Sequence, residues 1–157
     1  MKDIFNVLSS KDKQEYDRLI ERVNINIVNE YGQNLLHEAV AFHRNIIGFD
    51  VIKRGIDVNH KDKNGQTPLH YAAANYNPTL AEVIVQNGGD INIQDKHGNN
   101  ALWVAVIYYR HDKQEILRLY CKYGGDSTTR NNYVKSPLDI VEEINDPQQM
   151  QIMKEYL

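Results

Sequence analysis

One turn-and-helix pattern recurs along the chain at a fixed interval of 33 residues. Its turn glycine stands at Gly32, Gly65 and Gly98. A fixed period of this length is typical of solenoids, in which each repeat buries its apolar face against its neighbours. The period therefore predicts an elongated array with one continuous core.

The clearest copy is the segment 62–73, DKNGQTPLHYAA. Gly65 accepts the positive φ of a tight turn, Thr67 suits an N-cap, and Pro68 suits the first helical position, where its missing N–H costs nothing. The leucine and alanines that follow lie on one helical face, and the small alanines let a second helix approach closely. The segment predicts a turn followed directly by a packed helix.

Together with NGGDIN at 87–92, this segment closely resembles the ankyrin repeat, whose unit is a β-turn plus two antiparallel helices. GQNLLHEAV at 32–40 and DKHGNNALWVA at 95–105 are similar in the same register. A last copy, YVKSPLDIV at 133–141, keeps the Ser-Pro helix start but has Val134 at the turn glycine. The resemblance implies an all-α ankyrin-repeat solenoid.

A single domain of five parts follows from this register. Residues 1–28 lack the motif, but apolar residues at helical spacing predict two helices there, with Ser9 or Ser10 capping the second. Polar residues around them suit the terminal cap that a repeat array needs for solubility. The predicted parts are an N-terminal cap at 1–28, repeats at 29–61, 62–94 and 95–130, and a C-terminal capping repeat at 131–157.

Composition predicts a soluble, monomeric, cytoplasmic protein. The chain has 157 residues, 41% of them apolar and 25% charged, without a charged leader followed by a long apolar run. Its net charge of −3 weakly disfavours nucleic-acid and membrane binding, and we expect neither. The single cysteine, Cys121, cannot form an internal disulfide and falls on a predicted buried helix face, which favours packing over redox chemistry.

The histidines and carboxylates do not predict catalysis. His37 and His70 share one repeat position, which the resemblance implies is structural, with the ring bonded to a neighbouring turn; Trp103 takes that position in the third unit. The other histidines have no metal-ligand spacing, and most turn aspartates recur with the repeat. No phosphate loop or nucleophile motif appears. We expect no enzyme activity, metal or cofactor.

Positions that vary between units are the candidates for binding. The resemblance implies that the turn tips and the exposed face of each first helix form a concave surface. An ordinary solvated edge is the alternative, but the aromatic residues among them favour recognition. The candidates are Tyr31, Gln33, Phe42, Lys63, Asn64, Gln66, Asn75, Tyr76, Lys96, His97, Asn99, Tyr108, Tyr133 and Lys135.

The third unit departs from the period. Gly65 and Gly88 are 23 residues apart, whereas Gly98 and Gly124 are 26 apart, so three extra residues fall within 109–113. A tolerated loop is one interpretation. The other is an interaction hot spot, because Tyr109 and Arg110 follow Tyr108 directly; we add both to the candidates.

These features predict a module that binds another protein and inhibits or neutralises it by occlusion. Small ankyrin proteins that this chain resembles include bacterial immunity proteins that block a cognate toxin. A scaffold or adaptor that binds without inhibiting is the alternative.

Overall fold

The computed structural model describes residues 3–10 and 12–156, apart from the side chains of residues 9 and 10. In this part of the chain it contains ten α-helices. They are α1 (Ile4–Ser10), α2 (Lys13–Ile20), α3 (Leu35–Ala41), α4 (Asn45–Lys53), α5 (Pro68–Ala74), α6 (Pro78–Gln86), α7 (Ala101–Ile107), α8 (Glu115–Lys122), α9 (Pro137–Ile144) and α10 (Pro147–Lys154).

The helices form five consecutive pairs that stack into one array. The first helices of successive pairs, α1, α3, α5, α7 and α9, pack on one another in chain order. The second helices do the same from α4 through α6 and α8 to α10. A single apolar cluster runs from Ile4 to Met153, so the continuous core predicted from the repeat is confirmed.

Capping residues fix where the first helices begin. Asn34 and Thr67 cap α3 and α5, each in a reciprocal capping box with the histidine three residues later. The prediction that Ser9 or Ser10 caps α2 is wrong. Both residues belong to α1, and the side chain of Asp12 accepts the Glu15 N–H at 3.0 Å instead.

Two further predictions concern packing and membrane insertion. Cys121 is half-buried against the core, and burial raises the pKa of its thiol to about 11, so it is a protonated packing residue at neutral pH.

Among the described helices, none combines the length and the apolar character needed to traverse a bilayer.

Candidate binding surface

The turn tips are rigid because the side chain that begins each turn holds its backbone: an aspartate in the second and third units, and an asparagine, Asn29 or Asn131, in the first and fourth. The Asp62 carboxylate accepts the backbone N–H groups of Asn64 and Gln66 at 2.8 and 2.9 Å. Asp95 binds the third turn in the same way. Successive tips are then joined by backbone hydrogen bonds of 2.9–3.0 Å from Lys63 to Tyr31, from Lys96 to Asn64 and from Asn132 to His97.

Two buried histidines tie these tips to the helices beneath them. His37 Nε2 donates to the Gln66 carbonyl at 3.0 Å, and His70 Nε2 donates to the Asn99 carbonyl at 3.0 Å. Burial lowers the pKa of His37 to about 4, despite the opposing effect of the Gln66 carbonyl. The structural role predicted for both histidines is confirmed. Trp103, in the equivalent position, has its Nε1 buried without a hydrogen-bond partner among the described residues.

The tips and the C-terminal ends of the first helices form one surface, which we call the candidate face. It comprises residues 30–33, 63–66, 96–99 and 132–135 and the helix ends at 41–42, 74–75, 107–108 and 143–144. The Tyr71 hydroxyl on α5 donates to Asp62 at 2.9 Å, and Lys135 pairs with Glu143 on α9. Helix and tip are therefore held together in the second and fourth units.

Ten of the predicted candidates are exposed. The most exposed aromatic side chains among them are Tyr133 at 71%, Tyr31 at 61% and Tyr108 at 58%. Exposed residues among the candidates are Tyr31, Phe42, Lys63, Asn64, Asn75, Lys96, His97, Tyr108, Arg110 and Tyr133.

The other six candidates are half-buried or buried. Asn99 is only 8% exposed, because its side-chain oxygen accepts a hydrogen bond from Asn131 Nδ2 at 2.8 Å. The expectation that its side chain faces a partner does not fit this burial. Half-buried candidates are Gln33, bonded to the Tyr71 hydroxyl; Gln66; Tyr76, under Lys113; Tyr109; and Lys135, paired with Glu143.

Three exposed apolar residues on this face are not among the predicted candidates. Ile107, Val134 and Ile144 are 43%, 63% and 51% exposed. Ile144 occupies the helix-end position of Phe42 and Tyr108, so counting from the turn of the fourth unit could have found it. With Tyr108 and Tyr133 they make the C-terminal half of the candidate face markedly apolar.

The three-residue insertion fastens neighbouring units rather than projecting as a free loop. His111 contacts the N-cap and the first turn of α10, with Nε2 3.2 Å from Asp146 Oδ2 and Nδ1 2.6 Å from Gln148 Oε1. Lys113 reaches back over the Tyr76 ring at 4.8 Å. The Tyr109 ring packs against the core, so this candidate does not project freely towards a partner.

No group of three or more His, Cys, Asp or Glu side chains within the described ranges could hold a metal ion.

Residues 51–105 match the family model described as ankyrin repeats in many copies. This match and the stack of helix pairs establish the fold as an ankyrin-repeat solenoid. A comparison with curated proteins gave no match. Ankyrin repeats are protein–protein interaction modules, and binding another protein is the class of function that this fold implies.

Proposed function

We propose that this chain binds another protein through the candidate face and inhibits that partner by covering part of its surface. The observation that carries the proposal is the exposure of three tyrosines on the candidate face: Tyr31 and Tyr133 on the hydrogen-bonded tips, and Tyr108 at the end of α7. Aromatic side chains dominate binding energy at protein interfaces because they bury a large area with few rotatable bonds.

The framework supports tight binding because it needs little reordering. Successive tips are already bonded to one another, and the Asp62 carboxylate already holds its own turn. Ordering loops and side chains is a major cost of association, and a preformed surface avoids much of it. The partner would therefore meet a rigid face.

Inhibition by occlusion is the finer part of the proposal. A rigid surface that covers a catalytic or toxic site blocks it without chemistry of its own, and a toxin is one class of partner that this would neutralise. A scaffold would use the same face and leave the activity of its partner unchanged.

The test is affinity capture from the native host with the immobilised chain, followed by an activity assay of what is captured. A double variant, Tyr108→Ala with Tyr133→Ala, removes the two aromatics, and Phe49→Ala removes one on α4 outside the candidate face. We expect a protein that the parent and the Phe49 variant retain and the double variant loses, and whose activity falls when the chain is added. A partner with unchanged activity would identify a scaffold, and equal retention by every variant would overturn the proposal.

A further inference from the structure

A groove of about 450 Å³ opens at the N-terminal end of the candidate face. It lies between the start of α1, the segment 27–31 and the exposed side of α3. Tyr31 and Phe42 were predicted as binding residues, but sequence reasoning did not bring them together with the first residues of the chain. Its lining includes Asp3, Val28, Glu30, Tyr31, Glu38 and Phe42.

The charge of the groove is one-sided. Asp3, Glu30 and Glu38 contribute three carboxylates, and none of the described residues that line the groove is Lys, Arg or His. Asp3 and Glu30 are exposed, whereas Glu38 is half-buried and accepts a hydrogen bond from Asn29 Nδ2 at 2.8 Å. The described lining of the groove is thus a local concentration of negative charge.

The environment of Glu38 disfavours the charged form of its carboxyl group. Burial raises the pKa of its carboxyl group; the hydrogen bond from Asn29 opposes that rise, and the negative charge of Asp3 adds to it. A cation placed in the groove would favour the charged form of Glu38 and so offset both effects, because it would attract the carboxylates of Glu38 and Asp3 together.

Apart from Asn6 and Asn29, the remaining lining residues are aliphatic or aromatic. Tyr31 is 61% exposed, and Val28 and Phe42 are each 43% exposed. Lysine and arginine combine an apolar stem with a cationic head, and the head is attracted to the faces of aromatic rings. Aromatic and aliphatic walls beside carboxylates therefore match both parts of such a side chain.

We propose that this groove takes a lysine or arginine side chain from an apolar, basic segment of the partner protein. The inference rests on the proposed function and adds the chemistry that the partner must present at one place. The exposed carboxylates are screened by salt, so this contact should weaken as ionic strength rises.

The test uses the whole ¹⁵N-labelled chain and two small probes. The first probe is acetyl-Leu-Arg-Leu-amide, and the second carries citrulline, the uncharged analogue, in place of arginine. We expect the arginine probe to shift the amide resonances of Tyr31, Glu38 and Phe42, with binding at least about threefold tighter than for the citrulline probe. Equal affinity for the two probes, or shifts located elsewhere, would overturn the proposal.

Matched variants separate charge from folding. Glu30→Gln with Glu38→Gln keeps side-chain size and the acceptor oxygen for Asn29, while Glu82→Gln changes an exposed carboxylate on α6 outside the groove. We expect the double variant to bind the arginine probe as weakly as the citrulline probe, and the Glu82 variant to bind like the parent. Undiminished arginine binding by the double variant would overturn the proposal.

Failure here is distinguishable from failure of the proposed function. A captured partner that binds the Glu30, Glu38 double variant as tightly as the parent, yet fails to bind the Tyr108, Tyr133 double variant, overturns the basic-side-chain subsite alone. Capture of a partner that the Tyr108, Tyr133 double variant retains as well as the parent overturns the proposed function. The probe titration measures binding in the groove alone and does not depend on that result.

Discussion

His111 Nε2 lies 3.2 Å from Asp146 Oδ2, so the lengthened connection of the third unit is attached to the start of α10. Asp146 also caps α10 by accepting the N–H groups of Gln148 and Gln149. One carboxylate therefore serves both the helix and the insertion. The same segment contacts Tyr76 through Lys113, which links three consecutive units.

The insertion should contribute to stability through its inward residue. Replacing Tyr109 by Ala should lower the free energy of unfolding by about 1–3 kcal/mol, because its ring packs against the core. Replacing its neighbour Arg110, which is exposed, should change it by less than about 0.5 kcal/mol. Urea denaturation of both variants is the measurement. Equal, small changes would mean that the segment is only a tolerated loop.

Val134 holds a backbone conformation that suits glycine. Its φ is +61°, whereas Gly32, Gly65 and Gly98 at equivalent turns have φ between +76° and +79°. A β-branched residue is strained there, so Val134→Gly should stabilise the protein by about 0.5–1 kcal/mol after the flexibility of glycine in the unfolded chain is counted.

Replacing a turn glycine by a residue with a side chain is the control for Val134→Gly. A Cβ added at Gly98 would come within 2.9 Å of the Asn132 backbone nitrogen, so Gly98→Ala should destabilise the protein. Thermal unfolding of both variants gives the answer. A lower midpoint for Val134→Gly would show that the valine side chain contributes more at this tip than its backbone strain costs.

Stability should depend on pH through His37. Its pKa is lowered to about 4, so below pH 6.5 the unfolded chain takes up a proton that the folded chain does not. The stabilisation is complete above pH 6.5 and is lost as the pH falls towards 4, at about 1.4 kcal/mol per pH unit for each such histidine. The pKa of buried His70 is also lowered, chiefly by burial, and acts in the same direction.

Urea titrations between pH 7 and pH 5 measure this slope. His37→Gln should reduce this slope, because one group whose pKa differs between the folded and unfolded chain is gone. An unaltered slope in the His37 variant would assign the acid sensitivity to other groups.

The repeat was sufficient to predict the helices from α3 onwards, because each position of one unit indicates the environment of the same position in the next; α1 and α2 lie outside the motif and follow from apolar spacing alone. Val134 was assigned to the turn glycine by register alone, and its positive φ follows from the framework around it. Asn99 could not be placed this way, because Gln33 and Gln66 at its position are half-buried while Asn99 is buried by its bond to Asn131. Three of the five residues at 109–113 are extra, so the register is lost within this segment and the period alone did not indicate that Tyr109 packs against the core.

The most direct test of the account is the affinity of the captured partner for two matched alanine variants. Tyr133→Ala removes an aromatic that is 71% exposed on the candidate face, and Phe49→Ala removes one that is 40% exposed on α4. We expect Tyr133→Ala to weaken binding by about 2 kcal/mol, as for an interface hot spot, and Phe49→Ala to leave the Kd unchanged. Loss of affinity in the Phe49 variant with parental affinity in the Tyr133 variant would contradict binding through the candidate face.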